Sequence, residues 1–132
     1  MKIAAKLHHI GFPTTDMEAT VGFYESLGGK VVFEKADVDE GRPIQVKIID
    51  FHGALIECYE RRESPMRAGA IDHLAFSVGD VDGLYKICRE RGYRFMDECA
   101  GDVGNSTYWP KSLKWFIVCG PNEEKIEFCR ES

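Results

Sequence analysis

Apolar and polar positions alternate in short stretches along this chain, and twice the apolar spacing changes to three and four. Residues 7–12 read as a strand, with Leu7, His9 and Gly11 on one face and His8, Ile10 and Phe12 on the other. Thr15-Asp16-Met17-Glu18 then has the form of a helix capping box. Met17, Val21, Tyr24 and Leu27 recur behind it at helical spacing, and Gly28-Gly29 predicts the stop. Residues 30–35 are strand-like. Residues 36–43 are acidic and contain Gly41 and Pro43, which predicts a loop. Residues 44–51 and 54–59 predict a hairpin across His52-Gly53.

The same order then repeats. Residues 60–69 are polar, carry Pro65 and Gly69, and read as a linker. Residues 70–78 predict a strand. Asp80 caps a helix in which Val81, Leu84, Tyr85 and Cys88 share a face, and Gly92 ends it. A short strand at 93–96, a loop at 97–105, strand-like stretches at 106–109 and 115–119, a turn at 120–124 and a last strand at 125–130 complete the chain. His9-Ile10-Gly11-Phe12 before Asp16 and His73-Leu74-Ala75-Phe76 before Asp80 are 64 residues apart, an offset that Gly28 and Gly92 share. The expected fold class is α+β, with two tandem βαβββ modules at 6–60 and 70–131 of one domain spanning 1–132. Each module would curl a mostly antiparallel sheet into half of a cup.

The repeat gives otherwise ordinary residues a chemical meaning. A lone histidine on a strand is more often a hydrogen-bonded core or surface group, and His8 and His52 are read that way. For His9 and His73 the common offset favours a shared role. Each half also closes on a strand bearing a carboxylate, Glu57 in the first and Glu127 in the second. Glu57 lies between Ile56 and Cys58, so alternation alone does not decide its face. A carboxylate among apolar neighbours is costly to bury unless paired or metal-bound. His9, Glu57, His73 and Glu127 together form the donor set of one divalent metal ion. Imidazole and carboxylate suit Ni, Co, Zn, Mn or Fe, and the missing thiolates argue against a zinc finger. Four such ligands in octahedral geometry leave two positions for water or a chelating substrate.

Composition removes several alternatives. At 132 residues with a net charge of −5 and no stripe of Lys and Arg, the chain is not expected to bind nucleic acid. Lys47, Glu60, Arg61 and Arg62 read as surface charges. No apolar run approaches the ~20 residues of a spanning helix, and the first six residues do not resemble a signal peptide. Five cysteines form no CxxC pair, so free thiols and a reducing, cytoplasmic setting are expected. Cys58, Cys88 and Cys119 read as small buried hydrophobes, whereas Cys129 shares a strand face with Glu127 and would border the site. Trp109 and Trp115 are candidates for a substrate pocket and equally for the core or an interface.

Three segments carry a family resemblance. They are His9-Ile10-Gly11-Phe12 with Asp16 and Phe23-Tyr24-x-x-Leu27-Gly28, Ile71-Asp72-His73-Leu74-Ala75-Phe76-Ser77-Val78 with Asp80-Val81-Asp82, and Gly120-Pro121-Asn122-x-x-Lys125-Ile126-Glu127-Phe128. In this order the chain resembles the vicinal oxygen chelate superfamily, and within it glyoxalase I (lactoylglutathione lyase). The resemblance implies a metal-dependent lyase or isomerase acting on a small α-hydroxy carbonyl or hemithioacetal through a metal-bound enediolate. It implies one divalent ion (Ni, Zn, Co or Mn) on His9, Glu57, His73 and Glu127, with Glu127 as first choice for general base and Glu57 as second. It also implies a homodimer, in which each site can draw His9 and Glu57 from one chain and His73 and Glu127 from the other. Glu57 separates the chain from epimerase-like relatives, which have Gln there. Bacterial glyoxalase I has Arg and Asn, both contacting glutathione, where this chain has Pro13 and Arg61, so the resemblance does not extend to glutathione recognition. A non-catalytic binding or resistance protein and a methylmalonyl-CoA epimerase-like enzyme are the alternatives.

Overall fold

A computed structural model describes residues 2–4, 6–106 and 110–132. The chain divides into two compact units, Met1–Ser64 and Pro65–Ser132.

The first unit runs β1 (Ile10–Thr14), α1 (Met17–Ser26), β2 (Lys30–Asp39), β3 (Arg42–Phe51) and β4 (Ala54–Glu60). Its sheet has the order β1-β4-β3-β2, with β1 parallel to β4 and the other pairs antiparallel. Asp16, one residue later than the capping-box reading placed it, caps α1 by accepting from the Ala19 N–H at 3.0 Å. Thr14 explains the shift, because its hydroxyl accepts from the Asp16 N–H and bonds the Thr20 hydroxyl inside the unit. At the other end Gly28 has φ +101°, its N–H bonds Glu25 O, and the Gly29 N–H bonds Tyr24 O. That is a Schellman closure, which glycine allows. Met17, Thr20 and Tyr24 are buried, and the Tyr24 ring meets Phe51 edge-on at 5.0 Å.

The stretch 36–43 is not a loop. Glu40 and Gly41, at φ 50° and 73°, form a two-residue turn, and β2 pairs with β3 all the way to Asp39↔Arg42. Pro43 is tolerated because β3 meets β4 only from Val46 onward, so its missing N–H removes no bond on that side. His52 and Gly53, at φ 54° and 89°, make the turn between β3 and β4.

The second unit runs β5 (Leu74–Ser77), α2 (Val81–Glu90), a 3₁₀ turn at Asp97–Cys99, β6 (Gly104–Ser106), β7 (Leu113–Cys119) and β8 (Lys125–Glu131). The sheet order β5-β8-β7-β6, with β5 parallel to β8, repeats that of the first unit. Asp80 caps α2 through the Gly83 N–H, and Gly92 and Tyr93 close it on Arg89 O and Cys88 O. Tyr85, Cys88, Phe116, Val118, Ile126 and Phe128 form the core. The expected strand at 93–96 reduces to a single bridge, Phe95↔Val118. The second strand of the module, β6, instead begins in the glycine-containing stretch read as loop, at Gly104. The expected strand at 106–109 keeps only Ser106, and the rest of it lies outside the described residues.

The architecture is therefore α+β, two four-stranded mixed sheets each with one helix. Neither helix, at ten residues each, is long and apolar enough to cross a membrane.

Candidate functional site

The strand register places the chemistry. In the first unit Ile56 and Cys58 are fully buried, whereas Glu57 between them faces the other side of the sheet and is partly exposed. Its neighbour across β1 is Gly11, where an added Cβ would lie 3.4 Å from the Tyr59 ring and 4.0 Å from Glu57 Oε1. In the second unit Ala75 stands beside Glu127 in the same way. Both histidines come one residue before a strand, not within one as the alternation suggested. Parallel pairing begins only at Ile10↔Ile56 and Leu74↔Ile126, close to where β4 and β8 themselves start.

Each unit nonetheless brings its own pair together. His9 Nε2 lies 3.8 Å from Glu57 Oε2, and His73 Nε2 lies 3.7 Å from Glu127 Oε1. These separations exceed hydrogen-bond reach. Two metal–ligand bonds of ~2.1 Å span at most ~4.2 Å, so one cation fits within bonding distance of both members of either pair. In both histidines Nδ1 is engaged elsewhere, with His8 Nδ1 and with Asp72 Oδ2, each at 2.8 Å. Turning Nε2 toward a carboxylate while Nδ1 is held from behind is the arrangement of metal-ligating imidazoles. Among the described residues, no three His, Cys, Asp or Glu side chains of one unit converge on one point.

The carboxylates differ. Glu127 is buried, with 11% of its side chain exposed against 38% for Glu57. Burial pushes the Glu127 carboxyl above its ordinary range, opposed by the His73 imidazole and by the Cys129 thiol that hydrogen-bonds it. Burial also raises the Cys129 thiol, and the neighbouring Glu127 charge raises it further. Asp72 is held below the usual carboxylate range by hydrogen bonds from His73 and Lys125.

A concavity of about 780 Å³ opens beside His73 and Glu127. Met96, Leu113, Trp115 and Ile117 give it an apolar wall, and Asn105 and Ser106 give it polar groups. Trp115 is thus a lining residue, and Trp109 lies outside the described residues. Asn105 was hidden in the stretch read as loop, and Ser106 opened the expected strand at 106–109. Asp72 was visible only as the residue before a histidine, and Lys125 only as a strand residue two before Glu127. Arg61 stacks over the Tyr59 ring at 4.6 Å and pairs with Asp39 at 3.6 Å. His52 reaches Leu27 O at 2.9 Å, which agrees with a structural role.

The model of the Glyoxalase/Bleomycin resistance protein/Dioxygenase superfamily matches residues 6–110. The chain belongs to this superfamily. The glyoxalase-type architecture extends to the whole chain in solved structures. A glyoxalase/bleomycin resistance protein/dioxygenase from Alicyclobacillus acidocaldarius is 21% identical with a TM-score of 0.69, over 99% of this chain and 95% of that one. The fosfomycin resistance protein FosX from Listeria monocytogenes, complexed with Mn(II) and sulfate, is 15% identical with a TM-score of 0.73, over 98% and 95% of the two chains. Among curated proteins, the uncharacterized protein YwbC of Bacillus subtilis (strain 168) is 25% identical over 130 residues, 96% of this chain and 98% of that protein. At these identities the likeness to the solved structures shows the glyoxalase-type fold.

Proposed function

We propose that this chain is a metal-dependent enzyme of the glyoxalase type, moving a proton on the carbon next to a carbonyl in a small α-hydroxy carbonyl or hemithioacetal. The observation that carries this reading is the duplicated His–Glu pair, each imidazole turning Nε2 toward its carboxylate with Nδ1 held from behind. His9, Glu57, His73 and Glu127 would hold one divalent ion, completed by two pairs from one chain or from two chains of a homodimer. Such an ion, when bound, polarises the oxygens of a substrate and lowers the cost of removing the neighbouring proton. The FosX structure with Mn(II) supports a divalent ion of the Ni, Zn, Co or Mn group.

The protein's own groups divide the remaining work. Glu127 is the general base, because it is buried and its proton affinity is raised toward the working range. Glu57, more exposed, is the second carboxylate able to carry the proton. Trp115, Met96, Leu113 and Ile117 exclude water from one side of the substrate, and Asn105 and Ser106 offer hydrogen bonds that fix its orientation. Pro13 lacks a side-chain donor, and Arg61 is engaged with Tyr59 and Asp39, which supports a thiol other than glutathione or no thiol.

A second reading is a non-catalytic binder that sequesters a small molecule, favoured by the finding that, among the described residues, no group of three or more His, Cys, Asp or Glu side chains could hold a metal ion. The two separate in one experiment. Protein loaded in turn with Ni(II), Zn(II), Co(II) and Mn(II) is mixed in D2O with methylglyoxal and a panel of thiols, or with α-hydroxy ketones, and followed by proton NMR. Isomerisation or deuterium uptake next to the carbonyl, in metal-loaded protein only, is expected. Stoichiometric metal binding with no exchange on any of these substrates would sink the enzymatic reading.

A further inference from the structure

His73 is approached at both ring nitrogens, and the group behind it differs in kind from its counterpart in the first repeat. Its Nδ1 lies 2.8 Å from Asp72 Oδ2, and the other carboxylate oxygen, Oδ1, accepts from Lys125 Nζ at 3.1 Å. Lys125 and Glu127 stand two apart on β8, so alternation puts them on one face. One strand thus supplies the ammonium behind the imidazole and the carboxylate in front of it. An ionised carboxylate only accepts hydrogen bonds. The proton of a neutral His73 must then sit on Nδ1, which leaves the lone pair on Nε2, 3.7 Å from Glu127 Oε1. The first repeat differs at this place. The residue 64 positions before Asp72 is His8, whose Nδ1 faces His9 Nδ1 at 2.8 Å. Either imidazole can be the donor there, so neither nitrogen is an obligatory acceptor.

We propose that Asp72, braced by Lys125, is a positioning residue that locks His73 as the Nδ1–H tautomer and aims its Nε2 lone pair at a cation beside Glu127, a role the first repeat lacks. The cation part rests on the metal reading above, and the tautomer lock does not. Metal-ligating imidazoles take their orientation and basicity from a carboxylate behind them, and loss of that partner weakens metal binding about 10–100-fold.

Two measurements on the full chain test this. The first is long-range 1H–15N NMR of the His73 ring in metal-free protein at about pH 8, above the ordinary imidazole range. The second is Co(II) affinity from absorption titration. Wild type should show a protonated Nδ1. Asp72→Ala should shift the ring toward the Nε2–H tautomer and weaken Co(II) binding about 10–100-fold. Asp72→Asn, whose amide oxygen still accepts from Nδ1–H, should restore the tautomer and most of the affinity, and Lys125→Met should fall between wild type and Asp72→Ala. A wild-type ring protonated on Nε2, or an Asp72→Ala variant with unchanged tautomer and affinity, overturns the proposal. A wild type that binds no Co(II) while its His73 tautomer still depends on Asp72 overturns the metal reading and upholds the lock.

Discussion

Four residues stand out because of where they recur. A histidine and a glutamate are each commonplace on a strand, and only the 64-residue offset made His9 and His73 a pair. The structure then shows what alternation left open for Glu57: Ile56 and Cys58 turn inward and the carboxylate turns away from them. Asp72 and Lys125 were not legible, because their partnership crosses 53 residues of chain and neither has a counterpart in the first repeat's chemistry. Removing the His73 imidazole should abolish stoichiometric metal binding. As a half-exposed residue, His73→Ala should leave circular dichroism and melting temperature close to wild type. One tightly held transition metal per chain in that variant, by elemental analysis, would move the site elsewhere. Glu127→Gln keeps an oxygen ligand and loses the basic group, so turnover should fall about 10²–10⁴-fold while part of the metal remains. Near-normal kcat would move the base to Glu57 or to metal-bound hydroxide. The thiols make an independent check. Cys58, Cys88 and Cys99 are fully buried, and burial raises the Cys88 and Cys99 thiols. A disulfide reagent added to native protein should therefore leave these three unmodified, and denaturant should release all of them. Rapid native modification of Cys88 or Cys99 would contradict the packing of the second unit.

At the scale of elements, the duplication is carried by helix ends more faithfully than by strands. Asp16 and Asp80 cap α1 and α2 in the same way, and Gly28 and Gly92 close them with the same pair of backbone bonds. Caps depend on single residues at nearly fixed positions, so Asp80 was readable from sequence and the α1 cap was readable to within one residue. Strand limits depend on partners far away in the chain. That is why β2 and β3 extend through an acidic stretch that resembled a loop, and why β6 starts at Gly104, earlier than the strand expected at 106–109. Removing either cap, in Asp16→Ala or Asp80→Ala, should cost about 1 kcal/mol of stability, measured by urea unfolding. The Asp80 variant should lose more helical ellipticity than a control on the exposed face of α2, such as Lys86→Ala. Gly104 is a sharper case. A Cβ there would sit 2.7 Å from the Trp115 indole, and that indole lines the concavity beside His73 and Glu127. Gly104→Ala should displace the ring and raise KM with a smaller change in Tm. An unchanged Trp fluorescence spectrum together with an unchanged KM would remove Trp115 from the substrate wall.

At the scale of the whole molecule, what matters is that a half-site is not a site. Each unit brings together one His–Glu pair, two of the four proposed ligands, and a metal that activates a substrate ordinarily has three or four from the protein. Several apolar groups are also left in the open: Leu7 and Ile71, related by the repeat offset, are 73% and 78% exposed, and Phe33 and Val38 on the edge strand β2 are 57% and 64% exposed. Open sheet edges and exposed apolar side chains of this kind are normally covered by a partner. A homodimer is therefore expected, and light scattering at micromolar concentration should return twice the 14.9 kDa of one chain. A monomer at that concentration would exclude it. Whether a dimer completes its sites within each chain or across two is decided by complementation. His9→Ala protein and Glu127→Gln protein are each expected to be inactive. After subunit exchange, sites shared between chains would place both lesions in one of the two sites and leave the other intact, so activity returns. Sites contained within single chains would each keep one lesion, and the mixture would stay inactive. The separate pairs, His9 with Glu57 and His73 with Glu127, are compatible with either arrangement; for shared sites, recovery should approach a quarter of wild-type activity at full random exchange. That figure follows from half the dimers being mixed and each mixed dimer having one working site of two.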